Sequence, residues 1–207
     1  LFLFSDILLY CVKNSSNKWR KKSSFEFSGL SLKCNLADQK QPNTFAISGV
    51  TESIIFSTPD PEEREAWINS IKAAVAAYDD KNTSFLIKNK GAAVDFNTLN
   101  LHVVLLAPIY LFDKSNDGYS KKLMTLTPEH KLIIGTSVTP SPSDKIYTIE
   151  NCQISVITPE ASEAICITFV ANDEKLVFTS PFDDLFIERC YRILNTCITR
   201  TRSKSSA

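Results

Sequence analysis

The chain opens on two apolar runs, Leu1-Phe2-Leu3-Phe4 and Ile7-Leu8-Leu9-Tyr10-Cys11, hinged at Ser5-Asp6. Two such runs around a polar pair predict a hairpin of Leu1 to Phe4 with Ile7 to Lys13, followed by a polar loop from Asn14 to Asn17. Strict alternation comes next. Phe25 and Phe27 mark one face of a strand over Ser24 to Ser28, and Leu30, Leu32 and Cys34 mark another over Leu30 to Cys34. Beyond the polar stretch Asn35 to Asn43, Phe45 and Ile47 indicate a strand, Gly49 a turn, and Ser53 to Ser57 a further strand.

A helix should close this series. Asp60 is placed to accept from free backbone amides, Pro61 suits the first helical position because its missing N–H needs no partner there, and Glu63 completes a capping box. Trp67, Ile71, Ala74, Val75 and Tyr78 then fall on one stripe, while Glu62, Arg64, Glu65 and Lys72 fall mostly elsewhere, as in an amphipathic helix of about five turns. Asp79 to Thr83 is polar and reads as a linker.

The second half repeats the plan. Phe178-Thr179-Ser180-Pro181 echoes Phe56-Ser57-Thr58-Pro59, with Ser180 as cap, Pro181 at the first helical position and Asp183 where Glu63 stood. Aligned on the two caps, Trp67, Ile71, Ala74 and Tyr78 correspond to Ile187, Tyr191, Leu194 and Ile198, so an apolar face is expected on a second helix that carries no tryptophan. Upstream, Tyr147 to Ile157, Ile165 to Ala171 and Glu174 to Thr179 look extended. So do Phe85 to Lys88, Leu101 to Leu106, Ile109 to Phe112, Lys122 to Leu126 and Lys131 to Val138. The proline-rich Thr139 to Ser143 reads as an exposed loop.

Composition narrows the class. With 207 residues, 43% of them hydrophobic, the chain suits one large or two small globular domains. The 23 basic and 23 acidic side chains cancel, which argues against a nucleic-acid partner. Six cysteines, at 11, 34, 152, 166, 190 and 197, include no Cys-x-x-Cys pair, and only His102 and His130 are available beside them, so neither a zinc site nor another metal site is expected. Reduced thiols, no leader sequence and no apolar run of spanning length point to a cytoplasmic protein whose contact with membranes is peripheral. Gly-rich phosphate loops, His-Glu-x-x-His and Gly-x-Ser-x-Gly are all missing, and only 5 glycines occur, so no enzyme site and no cofactor are expected. The sole methionine is Met124 and the first residues are already strand-like, so the chain reads as a fragment.

Leu-Phe-Leu-Phe-Ser-Asp-Ile-Leu-Leu-Tyr followed by a helix bearing Glu-Ala-Trp-Ile-Asn-Ser-Ile resembles the pleckstrin-homology (PH) domain, in particular the type that follows the Dbl-homology domain of Rho guanine nucleotide exchange factors. The resemblance implies a strongly bent, seven-stranded sheet closed by one helix whose tryptophan enters the core, with the first strand lying upstream of Leu1. The expected fold is therefore mainly β with C-terminal helices: two PH-like bent barrels or sandwiches, each closed by one amphipathic helix. Residues 1–78 would be a PH domain lacking its first strand, 79–84 a linker, 85–199 a divergent PH-like domain, and 200–207 a basic, disordered tail. A single larger domain with an elaborated sheet is the alternative for the second half.

The resemblance also implies a function. Residues 1–35 carry six basic and two acidic side chains. Lys13 and Lys18-Trp19-Arg20-Lys21-Lys22 would occupy a loop at the open end of the sheet, where PH domains collect phosphoinositide head groups or an anionic membrane surface. The other reading of this run is a solvated turn, with Trp19 covering a sheet edge. A Rho-family GTPase is the implied protein partner, exchange activity would belong to an upstream Dbl-homology domain, and a protein-interaction scaffold without lipid binding is the competing function.

Overall fold

The computed structural model describes residues 1–34, 36, 42–88, 104–113, 118–127, 131–137, 141–149, 152–157, 166–171, 174–180 and 183–204. The chain divides into two compact units, Leu1–Tyr78 with Phe182–Asp184, and Asp79–Pro181 with Leu185–Ala207.

Unit 1 begins with the expected hairpin. β1 (Phe2–Leu3) pairs antiparallel with β2 (Ile7–Lys13), Phe2 opposite Leu9 and Leu3 opposite Leu8. β3 (Trp19–Glu26) completes this sheet in the order β1-β2-β3. A single 3-10 turn, Phe27–Gly29, leads into β4 (Ser31–Lys33), which forms a second sheet with β5 (Thr44–Ser48) and β6 (Ser53–Ser57). Leu8, Phe25, Phe27, Leu30, Leu32, Phe45 and Ile47 are buried between these elements and the helix. Phe56 stacks on Phe45 with ring centroids 5.6 Å apart and meets the edge of Tyr10 at 5.4 Å, so the two sheets share an aromatic contact.

α1 (Pro61–Lys88) starts where its chemistry requires, with Asp60 Oδ1 accepting from Glu63 N at 2.6 Å. Its buried face differs from the expected stripe. Ile68, Ile71 and Val75 are fully inside, whereas Trp67, expected in the core, is half-buried. The helix also does not stop at Tyr78. No glycine or proline follows Pro61 before Lys88, so nothing in the backbone breaks it, and both the expected linker at 79–84 and the expected strand at Phe85 to Lys88 are helical.

Unit 2 is a seven-stranded antiparallel sheet in the order β10-β9-β8-β7-β13-β12-β11. Two meanders compose it: β7 (Leu105–Asp113), β8 (Gly118–Leu126), β9 (Lys131–Gly135) and β10 (Lys145–Thr148), then β11 (Gln153–Ile157), β12 (Cys166–Ala171) and β13 (Glu174–Thr179). They join where Phe178 and Thr179 pair with Leu111 and Tyr110. The two strands expected on either side of Pro108 form one, β7; Leu101 to Val103 lie outside the described residues. Among the described residues β13 pairs with β7 only at Tyr110 and Leu111, so Pro108 stands on a stretch laddered by β8 alone, where a residue without N–H is tolerated. Conversely, the single extended segment expected at Tyr147 to Ile157 is two strands, β10 ending at Thr148 and β11 starting at Gln153, with Cys152 N donating to Ile149 O at 3.1 Å between them.

α2 (Phe186–Lys204) closes this sheet through Phe186, Cys190, Ile193, Leu194 and Ile198, packed against Ile167, Phe169, Phe178 and Met124 in one core. Of the four residues expected on its apolar face, Leu194 and Ile198 are buried, Ile187 is partly buried and Tyr191 is exposed. The helix does not start at Ser180. Asp183 Oδ1 accepts from Leu32 N at 3.1 Å, Asp184 N donates to Leu32 O at 2.7 Å, and Asp184 Oδ2 accepts from Cys34 N at 2.7 Å. Those bonds place this segment against β4 in unit 1 instead of in a first helical turn. The helical backbone reaches Lys204, into the tail expected to be disordered.

One buried ionic cluster stands out in unit 2. Asp79 is fully buried and accepts two bonds of 2.9 Å from Arg189, itself buried, and one of 3.1 Å from Arg192. Breaking a buried ion pair costs about 3–5 kcal/mol, and because Arg192 keeps its bond to Asp79, Arg189→Ala should lower unfolding stability by about 3 kcal/mol, the lower end of that range, in urea titration. Asp184 yields a second expectation. Burial pushes its carboxyl upward, but the Lys33 ammonium and the Cys34 amide together outweigh it and hold the carboxyl below its ordinary value. A lowered native value stabilises the fold above the unfolded aspartate range and ceases to as pH falls through it. Asp184→Asn should therefore destabilise the protein at neutral pH and flatten its loss of stability below about pH 4, followed by circular dichroism.

Candidate functional site

The basic run expected in a loop is mostly strand. Only Lys18 belongs to the turn; Trp19, Arg20, Lys21 and Lys22 lie within β3. The turn is tight because Asn14 braces it: its Oδ1 accepts from Ser16 N at 3.1 Å and Lys18 N at 2.9 Å, and its backbone N donates to Lys18 O at 2.9 Å. Asn17 takes the left-handed conformation the reversal needs, at φ 58°, which asparagine tolerates. The β2–β3 ladder consequently starts at once, with Lys13 opposite Trp19.

Register sorts the six candidate residues between faces. Leu8 opposite Phe25 defines the core side, and Tyr10 opposite Ser23 continues it. The ladder then shifts between Tyr10 and Cys11, leaving Lys22 as the extra residue of a β-bulge. Past the bulge, Cys11 faces Lys21, Val12 faces Arg20 and Lys13 faces Trp19. Following β2, whose side chains alternate, Lys13, Trp19 and Lys21 share the outer face, and Arg20 lies on the side that Leu8 and Tyr10 occupy. Lys13, Lys18, Trp19, Arg20, Lys21 and Lys22 are all exposed, yet only three share that face.

Two further residues join them that the sequence analysis placed in the opening hairpin without assigning them a face. Phe2 and Phe4 are 38% and 52% exposed, and Trp19 is 58% exposed. The Phe2 and Trp19 rings meet edge to face, centroids 5.4 Å apart and planes at 88°, so the pair reaches from β3 across β2 to β1. Lys13 Nζ stands 5.2 Å from the centre of the Trp19 ring. In a run apolar at every position, no alternation tells which side chains point out. The only acidic residues in this three-stranded sheet and its turns are Asp6 and Glu26, at the end away from the basic turn.

These residues form the candidate surface of the hairpin. In unit 2, burial pushes the Cys152 thiol up to about 11 and raises Cys190 further, which keeps both protonated and weakly nucleophilic at neutral pH. Tyr147 is likewise raised, by burial and by its hydrogen bond to Glu174. No group of metal-ligating side chains occurs among the described residues.

Residues 1–76 match the family model of the PH domain, so the first unit carries a PH domain. This segment is homologous to the PH domains of a family of exchange factors. Among its relatives, human FYVE, RhoGEF and PH domain-containing protein 2 is 26% identical over 120 residues, 55% of this chain and 18% of that protein. Mouse FYVE, RhoGEF and PH domain-containing protein 3 is 34% identical over 88 residues, 41% of this chain and 12% of that protein. The chain thus spans less than a fifth of the length of these relatives. The solution structure of the C-terminal PH domain of the human form of protein 3 aligns with 47% of this chain and 88% of its own length, at 14% identity and a TM-score of 0.38. Among the described residues, unit 2 runs as seven strands and then one helix, the element order expected of a PH-like second half.

The Asn14 brace is open to test. Asn14→Ala removes two side-chain hydrogen bonds from an exposed turn and should cost about 1 kcal/mol of stability, measurable by chemical denaturation.

Proposed function

We infer that this chain is the regulatory PH-domain portion of a Rho-type guanine nucleotide exchange factor, which brings its parent protein to phosphoinositide-containing membranes at the cytoplasmic face. The observation that carries this reading is the β2–β3 hairpin of the PH unit, where Lys13, Lys18, Arg20, Lys21 and Lys22 are all exposed beside an exposed Trp19. Each cation near an anionic leaflet contributes roughly 1 kcal/mol, and Arg20 can hold a phosphate through two donors. The relatives' names, which pair RhoGEF with PH domains, support the setting. Association is peripheral in this reading, and no described helix is long and apolar enough to cross a membrane. Nucleotide exchange on a Rho-family GTPase would be the work of a Dbl-homology domain of the parent protein, with the PH portion placing it.

A second reading, a protein scaffold without lipid binding, draws on unit 2, whose two edge strands β10 and β11 expose Ile146 and Val156. Charge separates the two. Arg20→Ala/Lys21→Ala/Lys22→Ala should weaken co-sedimentation with phosphoinositide vesicles by about 100-fold, the effect of roughly three lost cations. Binding of the parent chain should also fall as salt is raised. A scaffold would show neither dependence.

A further inference from the structure

We propose that the outer face of the β1–β3 sheet lies against the bilayer, with Phe2 and Trp19 entering the acyl boundary of an anionic leaflet while Lys13 and Lys21 rest on its phosphates. This deepens the membrane reading and rests on it: it names the face that meets lipid and adds a hydrophobic anchor to the cationic one. A solvated basic turn does not account for three large aromatics standing out of one small sheet, Phe2 at 38%, Phe4 at 52% and Trp19 at 58% exposure. Apolar surface of that size left in water is a cost that contact with a partner removes.

The arrangement selects the partner's chemistry. Tryptophan flanked by lysines suits the boundary between head groups and acyl chains, the ring taking the apolar side and the ammonium groups the phosphates. Here the mixture is built in: Lys13 lies opposite Trp19 with its Nζ 5.2 Å from the ring centre, and Lys21 follows on the same side. The Phe2 and Trp19 rings already support one another at 5.4 Å, which limits the ordering needed on insertion. Charge sets the orientation. The lysines gather at the turn end and Asp6 and Glu26 at the other, so an anionic surface attracts one end and repels the other. Arg20 lies on the opposite side of the sheet, so its phosphate contact is separate from this one and adds to it.

The test uses the 207-residue chain with vesicles of phosphatidylcholine alone, with phosphatidylserine, and with phosphatidylinositol 4,5-bisphosphate at charge matched to the second. Acyl-brominated lipid should quench tryptophan emission in the wild type but not in Trp19→Phe, since the other tryptophan, Trp67, is half-buried in unit 1. Phe2→Ser/Trp19→Ser should weaken partitioning into both anionic vesicles about ten-fold or more with its salt dependence unchanged. Lys13→Gln/Lys21→Gln should weaken it and flatten that dependence. All substituted side chains are at least partly exposed, and far-UV circular dichroism confirms the folds compared.

If vesicles bind but quenching is absent and Phe2→Ser/Trp19→Ser binds as the wild type does, cations act alone; the insertion is overturned and the membrane reading stands. If no vesicle binds the wild type, the membrane reading fails and this inference with it. A concentration-dependent dimer lost in Phe2→Ser/Trp19→Ser, with lipid binding unaffected, would give the face to a second copy of the chain and overturn the proposal.

Discussion

The extra residue in the β2–β3 ladder governs what the first unit presents to solvent. A strand displays its side chains with a period of two, so inserting one residue exchanges the faces of everything beyond it. With Leu8 and Phe25 committed to the core, a regular ladder would carry Trp19 to the same side as Ser23 and Phe25. The shift at Tyr10/Cys11 sends Trp19 outward instead and turns Arg20 to the other side. Core packing and the candidate surface are therefore set by one register decision, and a change that removed the bulge would alter both.

Unit 2 applies a different constraint to a related design. Its two meanders become one sheet through the short pairing of Phe178 and Thr179 with Leu111 and Tyr110, and α2 packs its apolar side onto the core that this closure creates. Phe178 takes part in both, paired in the ladder and in edge contact with Phe186 of the helix at 6.2 Å. Asp79, held by Arg189 and Arg192, adds a buried ionic contact beside that core.

Much of this organisation was legible in the order of residues. The opening hairpin, the alternation of Phe25, Leu32 and Phe45, and the cap at Asp60 are local signals, and local signals resolve well. Trp19 to Lys22 read as loop because β3 is solvent-exposed on both sides there, which removes the alternation that marks a half-buried strand. Phe2 and Phe4 were not singled out because neighbouring positions are equally apolar. The start of α2 was misplaced for another reason: Ser180, Pro181 and Asp183 spell a helix cap, but hydrogen bonds to β4 claim the segment first. That competition depends on residues far apart in sequence, and so does the extension of α1 through a stretch whose polarity suggested a linker.

The attachment of Asp183 and Asp184 to Leu32 and Cys34 has a consequence in time. The bonded residues are 150 or 151 positions apart, so β4 leaves the ribosome long before its partner exists. At roughly 5–20 residues per second, that interval is about 8–30 seconds. Throughout it the edge of the second sheet carries free N–H and C=O groups beside buried-type side chains, the kind of edge that recruits other strands. The newborn PH unit is thus left for a while with an open flank that a late segment of its own chain comes to cover.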